Sequence, residues 1–217
     1  MINETERRKL LTKIKIKVLS LLKAEARLAN RIGLTPNHLS VAGVVFGVIS
    51  GFLYYLAGAN MPDPTVSRTY LLIAVAFLLT SGFFDALDGV LARLYRKTSI
   101  KGGFLDSLLD RYVDATVYSG IMLGGLCDIF WGLLALIGSL LTSYARARSE
   151  AENVPMESIG IFERAERIIT IAAASLLNLI WMDALRWGIL LLALLTNITV
   201  LQRATFFFRK VSSQRKR

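Results

Sequence analysis

The chain is poor in the residues that build disulfides and zinc sites, since it contains one cysteine, Cys127, and one histidine, His38. A single cysteine excludes an internal disulfide. Neither residue lies near the acidic cluster described below, so nothing there favours zinc. No cleavable signal peptide is expected, because the N-terminus is charged and the first apolar run begins only near Leu39. No RNA- or DNA-binding motif accompanies the net charge of +10, so no nucleic-acid partner is expected.

Long apolar runs are what the chain has instead. Hydrophobic residues make up 54% of its 217 residues, and the runs recur along the whole length, which is typical of a polytopic membrane protein. We therefore predict an all-α fold with six transmembrane helices in one catalytic domain, residues 32–208. The six spans are expected at 37–58, 69–95, 103–126, 129–149, 164–182 and 186–208.

Basic segments flank this domain. Residues 1–31 carry apolar side chains at helical spacing, with lysines and arginines largely on other faces. This segment is too polar to span a membrane, so we expect a cytoplasmic interfacial amphipathic helix. Thr35 can then cap the next helix, with Pro36 in its first position. Residues 209–217 form a basic cytoplasmic tail.

Lysine and arginine are distributed unevenly between the predicted loops. The three loops expected on one side of the membrane hold only Arg68 and Arg186. The N-terminal segment, the tail and the loops at 96–101 and 146–167 hold nearly all the others. The positive-inside rule therefore predicts a multi-pass protein of the cell membrane, with both termini and the aspartates described next on the cytoplasmic side.

Four aspartates lie in the second and third predicted spans. Ionisable residues are costly in membrane helices and usually mark function. Asp85 and Asp88 are three residues apart. Asp106 and Asp110 are four apart, so each pair shares one helix face. The short loop between the spans makes the helices antiparallel neighbours, and the four carboxylates should converge. Because unneutralised carboxylates repel one another, the cluster predicts bound Mg²⁺ or Mn²⁺.

Small and basic residues stand among these aspartates. Gly89 and Ala92 lack bulky side chains, so a ligand can approach the backbone there. Gly102 opens the next helix, whose N-terminal amides could face a phosphate. Arg93 presents a planar fork suited to a diphosphate. Asp114, one turn beyond the last aspartate, either extends the site, pairs with Arg111 or caps a polar pocket.

The segment from Asp85 to Asp110 fills every position of the pattern D-x2-D-G-x2-A-R-x8-G-x3-D-x3-D. The chain therefore resembles the CDP-alcohol phosphotransferases over essentially its full length. The resemblance implies a homodimeric six-helix membrane enzyme that displaces CMP from a CDP-alcohol with an acceptor hydroxyl. It also implies two divalent metals held by the four aspartates, and Asp110 as general base. The implied CDP-lipid contacts are Pro36, Asn37, Gly89, Ala92, Arg93, Ser99 and Gly102.

A second set of basic residues lies outside this pattern. The segment SYARARSE ends the fourth span, and FERAER overlaps the start of the fifth. Arg203 lies inside the last apolar span. An arginine there is costly unless it faces a polar cavity. These segments resemble the inositol-phosphate branch of the family, the phosphatidylinositol phosphate and archaetidylinositol phosphate synthases. The resemblance implies inositol 1-phosphate as acceptor, with its phosphate bound by Arg146, Arg164 and Arg203.

Several alternatives stay open at this point. Glycerol 3-phosphate also carries a phosphate for the arginines, whereas serine would leave them without an anion. A divalent-cation transporter is an alternative of another class, because intramembrane aspartates also line ion paths. Metal-dependent CMP release distinguishes the enzyme from the transporter. The donor is either CDP-diacylglycerol or CDP-archaeol, since the residues expected to face its tails are merely apolar.

Overall fold

The computed structural model describes residues 21–156 and 159–214. Within these residues every regular element is a helix, which confirms the predicted all-α class. Residues 21–31 are helical and form α1. The helices that follow are α2 (Pro36–Ala59), α3 (Pro64–Leu94), α4 (Ile100–Leu123), α5 (Ile129–Ala151), α6 (Arg164–Leu177) and α7 (Ala184–Gln214).

Capping side chains fix where the helices of the site begin. Thr35 Oγ1 accepts a hydrogen bond from His38 N, and Thr35 N donates to His38 Nδ1, both at 3.4 Å. This capping box starts α2 with Pro36 in the first turn, as predicted. Ser99 Oγ accepts from Gly102 N at 3.0 Å and starts α4 in the same way.

Glycines allow α2 to pack closely between α3 and α4. A Cβ added at Gly51 would lie 2.5 Å from the Thr116 carbonyl oxygen, and one at Gly120 would overlap the Gly51 carbonyl oxygen. The helices α3 and α4 hardly touch along their backbones. The predicted neighbours are therefore joined through α2, and their aspartates meet beside its first turns.

Four helices, α2, α3, α5 and α7, are long and apolar enough to cross a membrane, so the chain fits an integral membrane protein. Within the described residues α4 and α6 do not meet these criteria. The helix α4 carries the charged residues of the predicted site. The helix α6 ends at Leu177 rather than near residue 182, and its 14 residues rise only about 21 Å.

The first and last described residues of the chain are helical. Ala26 of α1 is buried in one cluster with Leu39 of α2 and Leu91 of α3. Most of the predicted amphipathic helix, residues 1–20, lies outside the described residues. The helix α7 continues into the basic tail as far as Gln214.

Candidate active site

One end of the bundle collects the residues that the sequence predicted for the site. This end holds the first turns of α2, α4 and α6 and the C-terminal parts of α3, α5 and α7. Two openings lie there, a recess between α2, α3 and α4 and a larger cavity between α4, α5, α6 and α7. The aspartates lie between these openings.

Three of the four aspartates form a compact carboxylate cluster. One oxygen each of Asp85, Asp88 and Asp106 lies within 4.8 Å of the others. Asp88 is buried, and its Oδ2 accepts a hydrogen bond of 2.5 Å from Ser40 Oγ. Two oxygens that bind one Mg²⁺ at about 2.1 Å are at most about 4.2 Å apart. Small side-chain rotations would therefore close this oxygen-only donor set around a hard divalent cation.

Asp110 lies beside the carboxylate cluster and faces arginines. Its Oδ1 is 3.0 Å from Arg164 Nη1, and its Oδ2 is 3.7 Å from Arg111 Nη1. Arg164 Nη1 is also 2.6 Å from Asp85 Oδ2. The Arg164 nitrogen and these oxygens lack the alignment of hydrogen bonds, so the short distances describe ion pairs. Arg164 thus links the carboxylate cluster to Asp110 by charge.

The recess has a volume of about 140 Å³ and reaches the carboxylate cluster, because Asp88 and Asp106 line it. A Cβ on Gly102 would lie 2.9 Å from Ser99 Oγ and 3.3 Å from Asn37 Oδ1, so a side chain there would crowd both groups. Six of the seven predicted donor contacts line this recess: Pro36, Asn37, Gly89, Ala92, Ser99 and Gly102.

The cations of the recess differ from those expected. Arg93 is exposed and does not line the recess, although its Nη2 lies 3.6 Å from the position of a Cβ on Gly89. The Gly102 amide is bound to Ser99 Oγ and is therefore not free for a phosphate. Lys97 lines the recess, and its Nζ donates to an asparagine of α1 at 2.8 Å. Lys97 was not among the predicted contacts, although it lies in the basic loop at 96–101.

The larger cavity, about 360 Å³, is lined by basic residues, and we call it the arginine cavity. Its wall includes the three residues expected to bind the acceptor phosphate, Arg146, Arg164 and Arg203. Asp106 and Asp110 line the same cavity. Because Asp106 also lines the recess, the two openings meet at the carboxylate cluster.

Arg146 and Arg203 already make different contacts. Arg203 is buried, and its Nε and Nη1 donate to the carbonyl oxygens of Ile159 and Thr142 at 2.8 and 2.6 Å. These bonds offset the cost of a buried guanidinium and hold the α5–α6 connection against α7. Arg146 is partly exposed, and its Nε donates to Glu150 Oε1 at 2.9 Å. Arg203 is therefore a structural residue as well as a cavity residue.

The structure adds Arg111 and Arg167 to the wall of the arginine cavity. Arg167 is buried, and its Nη2 donates to Asp114 Oδ2 at 2.8 Å. Pairing of Asp114 with Arg111, one of the three alternatives from the sequence, is therefore wrong. The sequence contained a signal for Arg167 as a cavity residue, because Arg167 lies three residues after Arg164 and therefore shares its helix face.

The geometry can accommodate two phosphorylated ligands on opposite sides of a cation site. Small residues and helix starts surround the recess, hard oxygen ligands form the carboxylate cluster, and guanidinium groups line the arginine cavity. Asp110 borders both the cluster and the cavity. Its carboxylate can accept a proton from a hydroxyl held between them.

The sequence model of the CDP-alcohol phosphatidyltransferase family matches residues 33–199. The chain therefore belongs to the CDP-alcohol phosphatidyltransferase family. It is a transferase of phospholipid biosynthesis in a family of metal-dependent enzymes. Membership of an enzyme family favours the transferase over the cation-transporter alternative.

Known proteins resemble the chain over most of its length. An archaetidylinositol phosphate synthase of Pyrococcus horikoshii is 39% identical over 194 residues, which span 89% of this chain and 94% of that protein. The phosphatidylinositol phosphate synthase of Mycobacterium tuberculosis with CDP-DAG bound is 26% identical, with a TM-score of 0.72 over 87% of this chain and 94% of that one. Its complex with manganese and citrate is 27% identical, with a TM-score of 0.72 over 86% and 88%.

Proposed function

We propose that this protein transfers a phosphatidyl or archaetidyl group from a CDP-lipid to inositol 1-phosphate and releases CMP. The observation that carries the proposal is the arginine cavity, which opens onto the carboxylate cluster at Asp106 and Asp110. A phosphorylated acceptor needs cations at its phosphate and open space at its reacting hydroxyl. The activities named for the relatives, archaetidylinositol phosphate synthesis and phosphatidylinositol phosphate synthesis, support the same acceptor.

The CDP-lipid would occupy the recess, with its diphosphate at the carboxylate cluster. Small residues there let the nucleotide approach the backbone, and the lipid tails would leave sideways between helices into the bilayer. Arg93 and Lys97 supply positive charge near the diphosphate. The proposed donor contacts are Pro36, Asn37, Gly89, Ala92, Arg93, Ser99 and Gly102.

We propose two divalent ions, Mg²⁺ or Mn²⁺, at the carboxylate cluster. Asp85, Asp88 and Asp106 would hold them, and Asp110 would complete the ligand set. Carboxylate oxygens alone fit hard cations. Bound ions of this kind neutralise and orient a diphosphate. The manganese complex of the Mycobacterium tuberculosis enzyme supports a divalent metal in this family.

Asp110 is the proposed general base. Its carboxylate would take the proton of the acceptor hydroxyl as the acceptor oxygen bonds to the phosphorus that carries the lipid. The bond from that phosphorus to CMP then breaks. Arg164 lies 3.0 Å from Asp110 and would keep its carboxylate directed toward the reacting groups. Arg146, Arg164 and Arg203 would bind the acceptor phosphate.

We further propose that α2 to α7 all cross the cell membrane, with both termini and the site on the cytoplasmic side. The polar faces of α4 and α6 would line the site, which explains their lower hydropathy. The basic segments around this end of the bundle support the orientation. The helix α1 would lie on the membrane surface, and the active protein would be a homodimer.

The experiment is CMP release by the purified protein with CDP-lipid and Mg²⁺ or Mn²⁺. Inositol 1-phosphate, glycerol 3-phosphate and serine are compared as acceptors, and CDP-diacylglycerol and CDP-archaeol as donors. We expect release that depends on metal and on inositol 1-phosphate. Release only with glycerol 3-phosphate would keep the reaction and overturn the acceptor, and release only with serine would overturn the role of the arginines.

A further inference from the structure

A buried ion pair lies behind the arginine cavity and has no part in the reaction described above. Arg167 on α6 is 2% exposed and Asp114 on α4 is 9% exposed. Arg167 Nη2 and Asp114 Oδ2 are 2.8 Å apart. Arg167 lines the arginine cavity, whereas Asp114 does not. The pair therefore connects a cavity residue to a carboxylate that a ligand in the cavity would not touch.

Arg167 still has hydrogen-bonding capacity to spare. Its Nε is buried and has no hydrogen-bond partner within the described residues. A buried N–H group without a partner costs free energy, and this cost is recovered when a ligand supplies an acceptor. Four other arginines line the same cavity, so the ligand that satisfies Arg167 there is an anion with several oxygens, such as a phosphate.

Asp114 contacts two arginines rather than one. Its Oδ2 binds Arg167, and its Oδ1 lies 3.9 Å from Arg164 Nε. Arg164 and Arg167 are three residues apart in α6 and share one helix face. Their like charges repel, and the carboxylate between them offsets this repulsion. Asp114 thus holds two guanidinium groups at a fixed spacing beside the cavity.

We propose that Arg167 binds the acceptor phosphate together with Arg164, and that Asp114 is the positioning residue for both. The inference rests on the proposed function for the identity of the acceptor. A fixed pair of guanidinium groups binds a phosphate without the ordering cost that two flexible side chains would carry. Arg167 therefore contributes to affinity for the acceptor and not to affinity for the CDP-lipid.

The test is steady-state kinetics of CMP release by Arg167→Gln, with each substrate varied in turn. Loss of one charge-assisted hydrogen bond should raise KM for inositol 1-phosphate about 10- to 100-fold, and KM for the CDP-lipid should stay within about twofold. Asp114→Asn should raise the acceptor KM in the same direction. A variant that restores stability then shows whether Asp114 and Arg167 position the acceptor or only support the fold.

The rescue variant is the double substitution Arg167→Gln with Asp114→Asn. Arg167→Gln alone leaves Asp114 buried with only the more distant Arg164 as a cation, so the melting temperature of this variant should fall. The double variant removes that charge and should regain melting temperature, while its acceptor KM stays high. A structural role alone predicts that the acceptor KM recovers together with stability, and that result would overturn the inference.

The matched control is Ser175→Ala in α6, which removes a buried hydrogen bond of 2.9 Å to the Tyr54 hydroxyl on α2; neither residue lines the arginine cavity. It should change the melting temperature and leave both KM values within about twofold. An acceptor KM unchanged in Arg167→Gln would overturn this inference alone. If wild-type protein uses only an acceptor without a phosphate, the proposed function fails as well.

Discussion

Ser40 Oγ, one turn into α2, donates a hydrogen bond of 2.5 Å to Oδ2 of Asp88 on α3. Ser40 lines both the recess and the narrow space among the aspartates. The bond therefore couples the helix that begins at the Thr35 cap to a proposed metal ligand. Hydrogen bonds of this kind orient ligating carboxylates and tune metal affinity.

Ser40→Ala should lower the affinity for Mn²⁺, or turnover, about 10- to 100-fold, because Asp88 loses the donor that orients it. The measurement is a Mn²⁺ titration of CMP release. Ser50→Ala is the matched control, since Ser50 Oγ donates to the Ala74 carbonyl at 2.8 Å and also joins α2 to α3. Equal loss of Mn²⁺ affinity in both variants would contradict a specific role for Ser40.

Asp110→Asn should abolish turnover and largely retain CDP-lipid binding. The amide has nearly the same shape but cannot take the acceptor proton, and the recess proposed for the donor is lined by other residues. Turnover is measured as CMP release, and donor binding as a shift in melting temperature with added CDP-lipid. Full activity in this variant would remove Asp110 from the mechanism.

Arg203→Gln and Arg146→Gln should differ in stability. Both should raise KM for the acceptor, but Arg203→Gln also loses two bonds to backbone carbonyls and should lower the free energy of unfolding by about 2–4 kcal/mol. Arg146 is partly exposed, so its change should leave stability within about 0.5 kcal/mol. Thermal unfolding in detergent measures the difference in stability, and steady-state kinetics of CMP release measures KM for the acceptor. Equal melting temperatures would argue against the structural role of Arg203.

Gly120→Ala should destabilise the bundle by about 1–3 kcal/mol, because the new methyl group would overlap the Gly51 carbonyl oxygen and force α4 away from α2. Gly103→Ala in the same helix is the control, since its Cβ would meet nothing within 4 Å. Alanine there should be neutral or slightly stabilising, because it favours helix more than glycine does. The melting temperatures of the two variants test this difference in stability, and equal values would contradict the close contact between α2 and α4.

Cysteine labelling tests the proposed orientation. The native Cys127 is buried in the connection before α5, and burial raises the pKa of its thiol to about 11, so wild-type protein should react little at neutral pH. Thr65→Cys and Ser212→Cys each add a thiol at an exposed position. In intact cells an impermeant maleimide should label Thr65→Cys and not Ser212→Cys. Labelling of Ser212→Cys before permeabilisation would reverse the orientation.

Local patterns predicted the helices closely where they were long and apolar. The first span was expected at 37–58 and is a helix from Pro36 to Ala59. The prediction was poorer for α6, which ends at Leu177. Hydropathy there continues past the end of the helix, because apolar residues also fill the connection to α7. Apolar content alone does not say where the backbone stops being helical.

The sequence by itself determined the family and the carboxylates, because fixed spacing along two helices puts Asp85 and Asp88 on one face and Asp106 and Asp110 on another. It also indicated that Arg203 faces a polar space, since an arginine in an apolar span requires one. Only the tertiary structure decided which groups these side chains meet. That Ser40 binds Asp88 and Asp114 binds Arg167 depends on how α2, α3, α4 and α6 pack, and contacts between distant segments leave no periodic signal in the chain.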